Sequence, residues 1–178
     1  MIRRTVQLVV LMIIFPFFMK AQQREVLDWE FFKNDRPANA KWQAFTWYNI
    51  FYRYRVLSFE GERAKLSFDV TSKMDTAKSY FETARRLKND TSLLKHEQGH
   101  ADIAFIYAVK LKDTYANTTF LKANYKEHVK EIFDRIFAQM MAEQEKYDTE
   151  VDHSKNKEQQ RRWNSYFEKT IAQFNLGG

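Results

Sequence analysis

At Asp90 the hydrophobic period of the chain changes, and that switch restricts the available folds more than any other feature. Before it, "RAKLSFDV" sets Ala64, Leu66, Phe68 and Val70 strictly against Arg63, Lys65, Ser67 and Asp69. Side chains alternate faces along a strand, so this run is a strand with one buried face. "TWYNIFYRYRVLSF" is rich in aromatic and β-branched residues and puts Tyr48, Ile50, Tyr52, Tyr54 and Val56 on one side. Such residues fit a pleated, half-buried surface. Glu60, Gly61 and Glu62 between the two runs mark a hairpin turn. A short earlier strand over residues 26–32 is also expected, and residues 73–81 read as strand running into helix.

After Asp90 apolar residues recur every three or four positions. Asp90, Thr91 or Ser92 can cap a helix that reaches about residue 112. A second helix is expected over residues 120–147, with a stripe of Tyr125, Val129, Ile132, Ile136 and Met140 widened by Phe133 and Phe137. A third, over residues 157–174, carries Trp163, Tyr166, Phe167, Ile171 and Phe174 and stops at Gly177-Gly178. Strands first and helices afterwards, without alternation, give an α+β fold of N-terminal antiparallel strands followed by three helices.

Residues 1–21 stand apart from this body. Arg3 and Arg4 precede an apolar run over residues 6–19, broken by Gln7 and Pro16, and small Ala21 follows. That is the plan of a signal peptide, and the run is shorter than the ~20 residues of a comfortable membrane span. The rest, residues 22–178, has the length of one domain, and 44% apolar content supplies a core. Loss of Arg3, Arg4 and Lys20 with the leader lowers the formal charge from +6 to +3. The basicity is therefore partly a targeting signal and gives little support to a nucleic-acid partner. With no cysteine, disulfides and a lipid anchor at the cut are both excluded, and stability is left to packing.

The first expected helix contains "LLKHEQGHADIAF". Residues i and i+4 share a helix face, so His96 and His100 can offer two imidazole nitrogens to one ion at about 2.0–2.1 Å, which suits zinc. Glu97 lies one position round, within reach of a coordinated water whose pKa zinc lowers to about 7. This spacing is the helical signature of zinc hydrolases of peptide bonds. These are two of only four histidines. Gly99 inside a helix costs about 1 kcal/mol against alanine and suggests a close approach to the backbone.

Catalytic zinc needs a third protein ligand and a position for water. His128, Glu127 and Glu131 lie on the second helix, His128 beside its apolar stripe and the glutamates as surface charges. "YDTEVDHSKN" gathers Asp148, Glu150, Asp152 and His153 where the helical period fades, and a loop there can fold back to the motif. That cluster is the better source, and its members are not separable by spacing.

"LLKHEQGHADIAFIYAVKL" followed by "YDTEVDHSKNKEQQRRW" resembles a family of bacterial secreted proteins, the domain of unknown function numbered 922, described as zinc-dependent proteases. The family's pattern is His-Glu-Gln-Gly-His, an aromatic and Asp, then Tyr-Asp-x-x-Thr-x-His-Gly, then Gln before Trp. These fall on residues 96–102, on residues 147–154, and on Gln159 or Gln160 with Trp163; "VLDWEFFK" and "KSYF" fit the amino-terminal half. Ala101 stands for the aromatic, Val151 for the threonine and Ser154 for the glycine. The resemblance implies a zincin-like peptidase with Zn2+ on His96, His100 and His153, and with Glu97 as general base. It also implies Tyr147 as a donor to the oxyanion, although the same tyrosine reads equally as the last apolar contact of its helix. Asp102 or Asp148 could orient a ligating histidine or be a solvated acid.

The expected function is thus that of a secreted or periplasmic zinc metallopeptidase. Its competitor is a non-catalytic zincin-like exported binding module. The expected partner is a peptide or protein substrate, which could pair with an edge strand, and not a nucleic acid or, once the leader is removed, a membrane. The chain is expected to be a monomer.

Overall fold

The computed structural model describes residues 23–176, so the expected leader lies outside the described residues. Strand β1 (Ala44–Phe45) is followed by the long strands β2 (Tyr48–Glu60) and β3 (Arg63–Met74). The latter two pair antiparallel from Tyr48 opposite Met74 to Glu60 opposite Arg63. Gly61 turns the hairpin at φ 59°, a conformation glycine enters without steric cost. The register shifts between Val56 and Ser58, a bulge that leaves Leu57 outside the ladder.

Strand β4 (Tyr80–Phe81) pairs with β1, and β5 (Phe120–Leu121) adds to β3, giving a three-stranded order β2-β3-β5. Four α-helices are present among the described residues: α1 (Thr83–Leu87), α2 (Thr91–Ala116), α3 (Tyr125–Val151) and α4 (Lys157–Leu176). The fold is α+β, as the change of period predicts. None of these helices is long and apolar enough to cross a membrane.

α2 is the centre of the molecule. It packs against β2 and β3 on one flank and against α3 and α4 on the other. Residues 99–106 are consequently buried without a break, and Ala101, Ala104 and Ala108 let the neighbouring elements come close. Aromatic rings join the sheet to the helices. Phe68 stacks on Tyr115 of α2 at 4.1 Å between ring centroids, and Tyr52 meets Tyr115 and, on α3, Phe133. Fully burying a ring or branched side chain of this size contributes about 1.5–3 kcal/mol. α4 folds back to put Trp163 and Phe167 against Tyr147 at the end of α3.

The strand expected over residues 26–32 and the bounds of the first two long helices need correction. Residues 26–32 form no strand; they hold a 3-10 turn at Trp29–Phe31, because the Asp28 carboxylate accepts the Glu30 N–H at 2.7 Å and bends the chain. The second long helix starts at Tyr125, not at residue 120, because Phe120 is drawn into the sheet, where it meets Phe68 at 5.5 Å. It also runs on to Val151, and the helix before it runs to Ala116. The strand-to-helix passage read at residues 73–81 resolves into the end of β3, the short β4 and then α1.

Candidate metal centre

α2 begins where Asp90 accepts the Leu93 N–H at 3.1 Å. Two turns on, the face that meets α3 carries His96, Glu97 and His100, all buried. Gly99 on the same turn lies directly under Tyr147, where any Cβ would overlap the phenol ring and its hydroxyl. The glycine is therefore required by a close approach, as its helical position suggested.

His96 Nε2 and His100 Nε2 lie 3.3 and 3.2 Å from the same oxygen of Asp148. His153 Nδ1 approaches that oxygen to 3.5 Å from the solvent side, with its side chain 27% exposed. Asp148 Oδ1 is buried and makes no aligned hydrogen bond to any of them. Among the described residues, His96, His100 and Asp148 form a group of three donors whose ligand atoms all lie within 4.8 Å of one another. Around a tetrahedral zinc with bonds of about 2.0–2.1 Å, neighbouring ligand atoms are about 3.3–3.4 Å apart. The two spacings on Asp148 match such edges, so the donor set has the type and the reach to hold a divalent ion such as zinc.

The surrounding groups fix the orientation of these donors. His100 Nδ1 lies 2.6 Å from Gln144 Oε1, and Gln144 Nε2 donates to the His100 carbonyl at 3.0 Å. The amide is thereby oriented so that Nδ1 carries the proton and Nε2 faces the cluster. Tyr147 stacks on the His96 ring at 5.0 Å and meets the His100 ring edge-on at 5.1 Å. Its hydroxyl donates to the His96 carbonyl at 2.9 Å and accepts from Gln160 Nε2 at 2.8 Å. Fully buried and engaged in this way, the phenol braces the two imidazoles; the oxyanion role suggested for Tyr147 would need a hydroxyl turned to the cleft. Burial also pushes the phenol well above its ordinary range.

The charges reflect this crowding. Burial alone would lower the His100 imidazole, but close contact with Asp148 and its charge, helped by Glu97 and Gln144, outweigh burial and raise it to about 9. Burial likewise works against ionised Asp148, yet His100 and His96 hold its carboxyl well below the usual range. Burial lowers the His153 imidazole. Glu97 is 2% exposed, and its Oε2 has no partner within the protein. A buried polar atom left without a partner costs about 1–3 kcal/mol, so its presence asks for a chemical reason.

The other sequence candidates fall elsewhere. His128 and Glu131 precede Asp148 on α3 by twenty and seventeen residues, which at 1.5 Å per residue removes them by about 30 and 25 Å. Glu150 accepts from Trp163 Nε1, and Asp152 is exposed and pairs with Lys155. Asp102 orients no histidine. It faces the N-terminal segment, pairing with both Arg24 Nε and Nη2 at 2.7 and 2.8 Å.

His153 is carried on an unusual turn. Asp152, His153 and Ser154 take φ values of 45, 48 and 76° in succession, all left-handed. Each such non-glycine residue costs roughly 1–2 kcal/mol, strain that this turn holds beside the cluster. A cleft of about 530 Å3 opens beside the cluster, with Phe45, Tyr48 and Met141 on its apolar side and His100, Asp148 and His153 on its polar side.

Gln144 had a readable signal that spacing arguments passed over. It interrupts the buried stripe of α3 between Met140 and Tyr147, where an apolar residue is expected. No curated protein and no solved structure matches the chain. The family described as bacterial protein of unknown function DUF922 does, over residues 29–154, a span that holds His96, Glu97, His100, Asp148 and His153. With most of its length so matched, the chain belongs to the DUF922 family.

Proposed function

We propose that the chain is an exported zinc-dependent peptidase of zincin-like type. The observation that carries the reading is the convergence of His96 Nε2 and His100 Nε2 on one oxygen of Asp148, with the buried Glu97 carboxyl, its Oε2 without a hydrogen-bond partner, on the same helical turn. His96, His100 and Asp148 hold the ion, and His153 stands beside Asp148 on the solvent side. When bound, zinc supplies Lewis acidity, polarising a carbonyl and making a water acidic near pH 7. Glu97 takes the proton of the attacking water and passes it to the leaving amine. Gln144 keeps the His100 lone pair pointing inward, and Tyr147 fixes the planes of both rings. The cleft between residues 45–48 and α3 receives the peptide, its apolar wall accepting a side chain next to the scissile bond. Export is supported by the basic, apolar and small-residue plan of residues 1–21.

A second arrangement of the same centre exchanges two donors. His153 enters as the third nitrogen ligand and Asp148 orients it, an arrangement favoured by the 3.5 Å approach of its ring nitrogen. Zinc content separates the two: loss in Asp148→Ala with retention in His153→Ala supports the first, and the reverse pattern the second.

The test of the function is metal analysis and cleavage of fluorescently labelled casein by the purified mature chain. One zinc per chain is expected. Glu97→Gln should keep the zinc and lose at least about a hundredfold in cleavage, the range of a general base. Protein without stoichiometric zinc overturns the reading. Zinc without cleavage in the wild type leaves the non-catalytic binding module in its place.

A further inference from the structure

The loop "KNDRPANAKW" has no place in the chemistry above, yet it is built with care. Arg36 donates through Nε to the Trp42 carbonyl at 2.9 Å and through Nη2 to the Ala40 carbonyl at 2.6 Å. Its guanidinium also reaches Glu82 at 3.6 Å, tying the loop to the residue that precedes α1. The Ala40 N–H closes a turn on the Pro37 carbonyl at 2.9 Å. This scaffolding fixes one side chain in particular. The Trp42 indole lies flat on the His153 imidazole, with ring centroids 3.5 Å apart and planes 27° from parallel. The Lys41 ammonium is 4.3 Å from the centroid of the same indole.

Two independent features therefore act on one imidazole. From below, three successive left-handed residues aim His153 at Asp148; from outside, a pinned loop lays an indole across it. An imidazole 27% exposed would otherwise sample several rotamers, and fixing it in advance removes that entropic cost from ion binding. The electron-rich indole face also favours an imidazole made electropositive by a nearby cation.

We propose that Trp42 is the positioning residue of the metal centre: stacked on His153, it holds that ring against Asp148 so that the cation is gripped from the solvent side. This rests on the zinc reading above and holds for either assignment of His153, as ligand or as partner of Asp148.

Zinc affinity, measured by competition with a chromogenic chelator, tests it. Trp42→Ala should weaken zinc about tenfold, the size of effect seen when a residue supporting a ligand is lost. Trp42→Phe, which keeps an aromatic face, should return to within about threefold of wild type. Trp42→Ala with His153→Ala should bind no more weakly than His153→Ala alone, because the indole acts through that ring. In the metal-free protein, NMR should show the His153 ring protons shifted by the indole ring current, a shift lost in Trp42→Ala. Should the alanine variant fail to fold, Trp42→Leu carries the same comparison. Wild-type affinity in Trp42→Ala, or a further tenfold loss on top of His153→Ala, overturns the proposal. Wild-type protein that takes up no zinc removes the metal reading and this inference together, a pattern distinct from zinc uptake indifferent to Trp42.

Discussion

Gly99 and Tyr147 meet more closely than any added side-chain atom allows. Alanine is the better helix former by about 1 kcal/mol, so local propensity alone makes Gly99→Ala stabilising. Steric overlap with a phenol held at both of its hydrogen bonds reverses the sign. We expect Gly99→Ala to cost about 1–3 kcal/mol in denaturant unfolding, the usual penalty of overpacking, and to weaken zinc because the Tyr147 brace shifts. A more stable Gly99→Ala protein would show that the ring yields easily. At this scale the sequence was informative where chemistry is tied to spacing. His96, Glu97 and His100 are legible because a helix puts i and i+4 on one face. Asp148 is not, since it is one of several acids in a polar stretch 48 residues beyond His100, and only the tertiary packing of α3 on α2 selects it. The positive φ of Ser154 is a conformation that glycine would enter without steric cost.

The element that keeps α2 in place on its far side is the segment just before the 3-10 turn. Gln98 accepts the Leu27 N–H at 2.7 Å and donates to the Glu25 carbonyl at 3.0 Å, while Arg24 grips Asp102. Asp102 is 4% exposed and Arg24 37%, so the two partners are not equivalent. Removing the arginine leaves the buried carboxylate, among the described residues, with Gln98 Nε2 as its remaining side-chain donor, at 2.9 Å. Breaking a buried pair from one side costs 3–5 kcal/mol; for a partner this exposed we expect Arg24→Ala to cost about 2 kcal/mol. Adding Asp102→Leu should recover part of it, and zinc content should stay at one. An Arg24→Ala protein within about 0.5 kcal/mol of wild type on denaturant unfolding would rule out the pair as the fastening. The long hairpin and the long helices were legible because their apolar periods extend over many residues. Short pieces were not: at residues 26–32 one capping carboxylate outweighs a strand-like composition, and at Phe120 a ring seeking the sheet displaces a helix start.

For the whole molecule, protons and the proposed metal compete for one centre, and global stability records the outcome. The unfolded His100 ring titrates near 6.5 and the folded one at about 9 in the metal-free protein. A raised folded value means that its contribution is fully present below pH 6.5 and is lost as pH rises through about 9. Asp148 has the opposite sign: its contribution is present above the unfolded value of 3.8 and is lost as pH falls toward its lowered folded value. With a chelator present, the Tm should therefore fall between pH 7 and pH 9.5. With zinc, that decline should be absent, because the ion takes the place of the His100 proton, and zinc affinity should climb over the same interval. A metal-free Tm that is flat or rising there would contradict the His100 assignment. The change of period at Asp90 made the α+β architecture readable; the position of α2 between two layers was not, because its polar motif resembles a surface helix until its cover is seen. α2 is walled in by the sheet on one flank and two helices on the other. On the zinc reading, ion traffic is then left to the doorway where residues 42 and 153 meet, and the short loop that carries the indole sets the pace of loading and stripping.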